Sequence, residues 1–216
     1  MEQSKFTASS IGKKFLMAAT GFFLMVFLLV HLSVNLFLFG GKQAFNEASH
    51  FMATNPLIQI SQYILAAGFI AHIFFGIKLY IQNKSARGKV TYAVNQWQAH
   101  TPFNARTMIY TGLLILCFLI LHLKDFTIPI KIADTRRFTH YELVTEHFKN
   151  PIYTVIYLIA FILLAIHLSH GFQSAFQSMG ARHKSYTPFI EKLGVLYFWF
   201  ISLGFSTIAL WFFFKQ

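Results

Sequence analysis

Five long apolar runs divide this chain, at 11–39, 57–81, 107–123, 151–177 and 193–214. A helix needs about 17–25 apolar residues to cross the hydrocarbon of a bilayer, and each run reaches that length. The pattern predicts an all-α membrane protein, a bundle of five transmembrane helices forming one integral membrane domain over 1–216. Lys13 and Lys14 precede the first run as they would in a signal peptide. The run is too long for a leader's apolar core and no A-x-A-like site follows it, so it reads as a helix.

The loops carry pattern too. The third, 124–150, is the longest, and from His140 to Phe148 it sets Leu143, Val144, His147 and Phe148 on one face. That spacing predicts a short helix lying along the membrane surface. The first loop repeats the arrangement on a smaller scale with Ala44, Phe45, Ala48, Phe51 and Met52. Runs two and four share a spacing: Asn55-Pro56 is followed by His72 and Gly76, and Asn150-Pro151 by His167 and Gly171. Proline suits a helix start, where its missing N–H is not needed. The two histidines therefore begin from matching boundaries and reach matching depths, with room left beside each by the glycine one turn on.

Charge predicts which way the bundle faces. The N-terminal tail carries Lys5, Lys13 and Lys14, the second loop Lys84, Arg87, Lys89 and Arg106, and the fourth Arg182 and Lys184. The first and third loops lack that excess, so the positive-inside rule predicts a cytoplasmic N-terminus and an outside C-terminus. The net charge of +11 is then a topology and docking signal. It is not the basic soluble face that nucleic-acid binding requires, and no nucleic-acid partner is expected. With 56% hydrophobic and 12% charged residues, the chain lacks the charge a soluble domain of this length needs to cover its surface. Cys117 stands alone, so there is no CxxC pair for zinc or an iron–sulfur cluster and no CxxCH for covalent haem attachment. None of the 12 glycines forms a GxG, which removes the flavin and nicotinamide fingerprint. The 27 phenylalanines suit lipid-facing surface or the walls around a flat aromatic ligand.

Against this background four histidines stand out, one in each of the first four runs: His31, His72, His122 and His167. An ionisable side chain at membrane depth is costly and is kept mainly where it binds or conducts something. At 1.5 Å per residue, His72 and His167 lie about 24 Å from their prolines, and His31 about 14 Å from Gly40. His122 sits near the same end as His31, so depth pairs His31 with His122 and His72 with His167. Two flat cofactors stacked along the membrane normal would each be clamped between two helices, and bis-histidine haem is the chemistry that fits. A hydrogen-bonded packing role and a proton relay are the competing uses of one such histidine. Zinc is disfavoured because the pairs are too far apart vertically to make one tetrahedral site. His170 follows His167 by almost one turn and faces nearly the same way, but only His167 has the matched proline and glycine. His50, His100, His140, His147 and His183 fall in loops, where solvated or headgroup roles are expected.

The segments FLLVHLSVN, AHIFFGIKLY, LLILCFLILHLKDF and AIHLSHGFQSAFQSMG, in this order, resemble the five-helix, di-haem cytochrome b subunit of succinate dehydrogenases and fumarate reductases. The resemblance covers essentially the whole chain, including NPLIQ, NPIYT and the long third loop. It implies a membrane anchor in a bacterial-type cytoplasmic membrane, holding a flavoprotein subunit and an iron–sulfur subunit on the cytoplasmic face. Succinate and fumarate are interconverted on the flavoprotein, and electrons pass through two b haems to or from a quinone, usually menaquinone. Such a subunit belongs to an oxidoreductase of respiration and the tricarboxylic acid cycle while doing no dicarboxylate chemistry itself. Carried over, His72 and His167 ligate the proximal haem, and His31 and His122 the distal one. The resemblance also marks a departure. Some members carry a membrane glutamate two residues before the fourth-run ligand, where this chain has Ala165, and no Asp or Glu is expected inside any helix here.

Haem propionates need cationic or hydroxyl partners. Lys78 is a candidate, with snorkelling to the headgroups as its alternative role; Arg106, Lys13, Ser9, Ser10 and Trp97 are others. For a quinone near the distal haem the candidates are Asn35, Glu47, His50 and Asp125, the last three read as loop residues. There are three rival functions. Anchors of the hydrogenase, formate dehydrogenase or bc type place two well-separated histidines on one helix, which this chain does not. A haem-free transporter or proton channel using the buried histidines is the second, and a purely structural membrane subunit is the third.

Overall fold

The computed structural model describes residues 9–87, 103–131 and 138–215. Among the described residues it is helical throughout, with no strand. The helices are α1 (Ser10–Leu36), α2 (Gly41–Thr54), α3 (Pro56–Arg87), α4 (Phe103–His122), α5 (Ile128–Lys131), α6 (His140–Lys149), α7 (Pro151–Ser178) and α8 (Thr187–Phe214). Five of them, α1, α3, α4, α7 and α8, lie in segments long and apolar enough to cross a membrane.

Local chemistry explains the boundaries. Ser9 caps α1 by accepting from the Gly12 N–H at 3.0 Å. At α3 and α7 the cap is an asparagine ahead of the proline: Asn55 Oδ1 accepts from Leu57 N–H at 3.0 Å, and Asn150 Oδ1 from Ile152 N–H at 2.9 Å. Proline at the first helical position sacrifices no hydrogen bond there. A 3₁₀ turn, Phe37–Gly40, closes α1, and the chain then swings into α2 through Gly41 at φ +88°, a conformation that strains any residue with a Cβ. The first loop of the sequence pattern is thus a helix. So is the start of the third: α4 runs on through a π turn, Leu123–Thr127, into α5 before the chain reaches α6. Thr139 and Glu142 make a reciprocal cap at the start of α6, and the Glu142 carboxylate also accepts from Lys42 of α2 at 2.7 Å. The hydrogen bond from Lys42, first, and those from Thr139 hold the Glu142 carboxyl down at about 2.

α7 is the centre of the bundle, packing on α8, α4 and α1, while α3 packs chiefly on α1 and barely meets α4. In lipid, helix association relies on close packing and interhelical hydrogen bonds, because burying apolar surface from lipid gives little. Both devices are present. The Tyr197 hydroxyl of α8 donates to the Met25 carbonyl of α1 at 2.7 Å in the buried interior. Gly204 of α8 lets Leu32 of α1 approach so closely that a Cβ would stand 2.7 Å from Leu32 Cδ2. The outward faces carry exposed apolar residues, as on α3 with Ile60, Ile64, Ile70 and Phe74.

Leu32 is 1% exposed and has nowhere to retreat. Gly204→Ala is therefore expected to cost about 1–3 kcal/mol of bundle stability, the usual range for overpacking, as a lowered midpoint of thermal unfolding in detergent.

Candidate functional site: two histidine pairs

Four helices each deliver one histidine to the interior, and the structure groups the rings two by two. His31 of α1 and His122 at the end of α4 have ring centroids 5.8 Å apart, with the planes at 90°. His72 of α3 and His167 of α7 have centroids 6.5 Å apart, at 71°. The second pair lies toward the end of the bundle where α1 starts, the near end, and the first pair toward the far end, where α2 and α6 lie. His167, and not His170, is the ring that meets His72.

The separation is informative. Two imidazoles bonded to one metal at about 2.0–2.1 Å, the usual length for a histidine nitrogen, stand roughly 6 Å apart centre to centre. Among the described residues no group of three or more His, Cys, Asp or Glu converges to hold a metal ion. Each pair thus offers two donors only, too few for a tetrahedral zinc site but the complement that a planar macrocycle with four nitrogens of its own lacks.

Each ring of the near pair has a threonine hydroxyl beside its Nδ1. Thr20 Oγ1 lies 3.4 Å from His72 Nδ1, and Thr111 Oγ1 lies 3.2 Å from His167 Nδ1. Each hydroxyl has one hydrogen, and each lies within bonding distance of backbone carbonyls on its own helix: Leu16 at 2.9 Å and Met17 at 3.1 Å for Thr20, Met108 at 3.1 Å and Thr107 at 3.2 Å for Thr111. With that hydrogen turned to the backbone, the hydroxyl oxygen stands as an acceptor for Nδ1–H, alongside the Met17 carbonyl for His72 and the Met108 carbonyl for His167; donation from Nδ1 leaves Nε2 bare for a metal. The far pair is walled by aromatic rings. Phe27 stacks on His31 at 5.3 Å and Phe205 lies at 5.5 Å; Phe118, Phe126 and Tyr157 surround His122. His122 Nδ1 is buried and has no hydrogen-bond partner among the described residues. The donors and their separation fit a bis-histidine haem at each level, and at the far level the aromatic walls do as well.

Three residues past His122 the structure corrects two expectations. Asp125 is not a loop residue but part of the π turn, and a carboxyl group does lie inside a membrane-spanning segment. The widened turn rotates the register and drives Asp125 inward, where its side chain is 4% exposed. There the Tyr157 hydroxyl of α7 donates to Oδ2 at 3.0 Å. His147 Nε2 of α6 approaches the same oxygen to 3.3 Å, out of line for a hydrogen bond. His147 is therefore not a solvated loop group. Burial holds its imidazole below the ordinary 6.5, Asp125 opposing and Lys124 adding to the effect.

The remaining quinone candidates stay outside this cluster. Asn35 donates its amide to the His31 carbonyl at 2.8 Å, Glu47 accepts from Gln43 at 2.9 Å, and His50 is exposed on α2 rather than in a loop. His140 likewise belongs to a helix, α6, with its imidazole lowered by burial and then by His50. Of the propionate candidates, Lys13 is buried at 9% exposure and its ammonium meets a neutral partner, Gln82 Oε1, at 3.4 Å. Lys78 lies over the Phe74 ring at 5.2 Å. Ser9 serves as the α1 cap, Ser10 is exposed, and Arg106 lies near the start of α4. Trp97 falls outside the described residues.

Sequence pattern had not singled out Thr20, Thr111 or Tyr157, nor given His147 a partner. For the threonines a signal exists: MAATG, from Met17, and MIYTG, from Met108, each stand fourteen residues before a far-pair histidine.

Comparison with known proteins agrees in kind. The chain is 25% identical over 150 residues to the succinate dehydrogenase cytochrome b558 subunit of Bacillus subtilis (strain 168), covering 69% of each chain. No protein-family model matches, and no solved structure does.

Two outcomes follow from the Asp125 cluster. Tyr157→Phe removes a buried donor and is expected to lower stability by about 1–3 kcal/mol in detergent unfolding. Because folded His147 takes its proton at lower pH than the unfolded chain does, stability is lost as pH falls below 6.5. Between pH 7 and pH 5 the unmodified protein should lose more stability than His147→Gln.

Proposed function

We propose that this chain is the membrane anchor and electron-transferring cytochrome b subunit of a succinate:quinone oxidoreductase, of the succinate dehydrogenase and fumarate reductase kind. The observation that carries the reading is the meeting of four helices' histidines in two stacked pairs, each at the spacing one iron requires. The similarity to a succinate dehydrogenase cytochrome b subunit supports it independently. A b haem, when bound, supplies reversible one-electron transfer; everything else is work for this chain's own residues.

His72 with His167 would hold the proximal haem and His31 with His122 the distal one, and two histidine ligands per iron would favour electron transfer over oxygen chemistry. The aromatic walls at the distal pair exclude water. Lys13, a buried cation whose described partner is neutral, suits an anionic propionate at the proximal level. The cationic near end faces the cytoplasm and docks the flavoprotein and iron–sulfur subunits, where succinate and fumarate interconvert. Menaquinone reacts at the far end, beside the distal pair. Asp125 Oδ2, with Tyr157 and His147 around it, holds or releases the proton that accompanies quinone chemistry there.

A reduced-minus-oxidised absorption spectrum of the purified complex, with haem quantified per chain, tests the reading. Two b haems are expected in the unmodified protein, falling to one in His72→Ala and in His122→Ala. A colourless protein would overturn the proposal and move the histidines to a haem-free transport role.

A further inference from the structure

The two threonines beside the near pair belong to a repeated device. In Met17-x-x-Thr20-Gly21 and Met108-x-x-Thr111-Gly112, the threonine hydroxyl lies within hydrogen-bond distance of Nδ1 of a histidine on the neighbouring helix, His72 or His167, and the methionine carbonyl shares that histidine. The glycine that follows lets the same ring settle against the backbone. A Cβ on Gly21 would stand 3.2 Å from His72 Cε1, and one on Gly112 would stand 3.3 Å from His167 Cε1. The methionine completes a reciprocal lock. Met17 Cε lies 3.4 Å from where a Cβ on Gly76 would be, and Met108 Cε 3.6 Å from the corresponding point at Gly171. Those are the glycines one turn beyond the two histidines. Each helix of a pair therefore seats the other, and both halves of the chain use the same five-residue word.

We propose that Thr20 and Thr111 are positioning residues for the proximal haem: by accepting the Nδ1 protons of His72 and His167 they fix both tautomers and strengthen Nε2 as the iron donor. This rests on the haem reading above and deepens it. An acceptor on Nδ1–H gives imidazole partial imidazolate character and favours the oxidised metal. The device is confined to one level. At the distal pair His122 Nδ1 has no partner among the described residues, so that site is not tuned in the same way. Eleven residues, three turns, separate Thr20 from His31 and Thr111 from His122. One face of each helix thus ligates one level and orients the ligand of the level roughly 16 Å away.

Thr20→Val and Thr111→Val keep the shape and remove the hydroxyl; Thr20→Ser and Thr111→Ser keep the hydroxyl. The measurement is a redox titration of both haems in the purified complex, with the electron paramagnetic resonance of the oxidised low-spin centres as a second readout. In each valine variant the proximal midpoint should move upward and its resonance should shift, with the distal centre unchanged and the serine variants near the unmodified protein. A fall of about 10–100-fold in proximal haem affinity, again restored by serine, would support the same role. Full haem content with an unshifted proximal centre in both valine variants would overturn the inference while leaving the haem reading intact. Serine variants that shift as far as valine would also overturn it, since packing rather than the hydroxyl would then matter. Absence of haem from the unmodified protein would overturn both readings, and loss of both haems from both valine variants with the serine variants intact would overturn the proximal assignment.

Discussion

Everything in this bundle depends on accommodating an imidazole in hydrocarbon. A neutral imidazole has one N–H to donate and one bare nitrogen to satisfy, and lipid supplies a partner for neither. A neighbouring helix is the source of a partner, so His72 and His167 fix where α1 and α4 can lie. Thr20 and Gly21 of α1 seat the ring of α3, and Thr111 and Gly112 of α4 seat the ring of α7. The ring pairs then tie α3 to α7 and α1 to α4, helices that the chain itself does not join in sequence. Crossing helices by this route leaves two levels in which paired donors face each other, and the electron-transfer reading follows from those levels.

The sequence was most legible where one residue type had to repeat. Four histidines in four apolar runs, and the doubled Asn-Pro followed sixteen residues later by histidine, stood out because membrane interiors tolerate few polar residues. Helix number followed from length and hydropathy alone. The ends of the elements were harder. Gly41 admits a sharp turn straight into α2, and the apolar character of α4 fades before its hydrogen bonding does, so residues 124–131 looked like loop while remaining helical. The π turn is the deeper reason that Asp125 was misplaced. One extra residue in a turn changes which face every later side chain occupies, and nothing in KDFT announces it. Thr20 and Thr111 were hidden for a different reason: threonine is common in membrane helices, usually bonded to its own backbone. Only the position of a ring on another helix distinguishes these two from Ser33 or Thr207, which bond back to their own helices and meet no histidine.

The repeat also explains why a fifth spanning helix is needed. α1 with α3 and α4 with α7 are built alike, and four such helices already supply every paired histidine. They do not close the far level, because α1 and α7 leave the His31 side open. α8 closes it. Phe205 packs on both His31 and Phe161, Tyr197 bonds to Met25, and Gly204 admits Leu32 one residue beyond the ligand. α8 carries no histidine, and its inner face is occupied by Ile201, Phe205, Ile208 and Ala209 instead. Its contribution is a dry wall, and dryness decides what the far level can do. The His31 ring is held between Phe27 and Phe205, with the buried carboxyl of Asp125 on the opposite side, beyond His122. In the proposed function, the far level would set an electron-transferring pair one turn of helix from the Asp125 cluster, so that a quinone beside His122 would meet both.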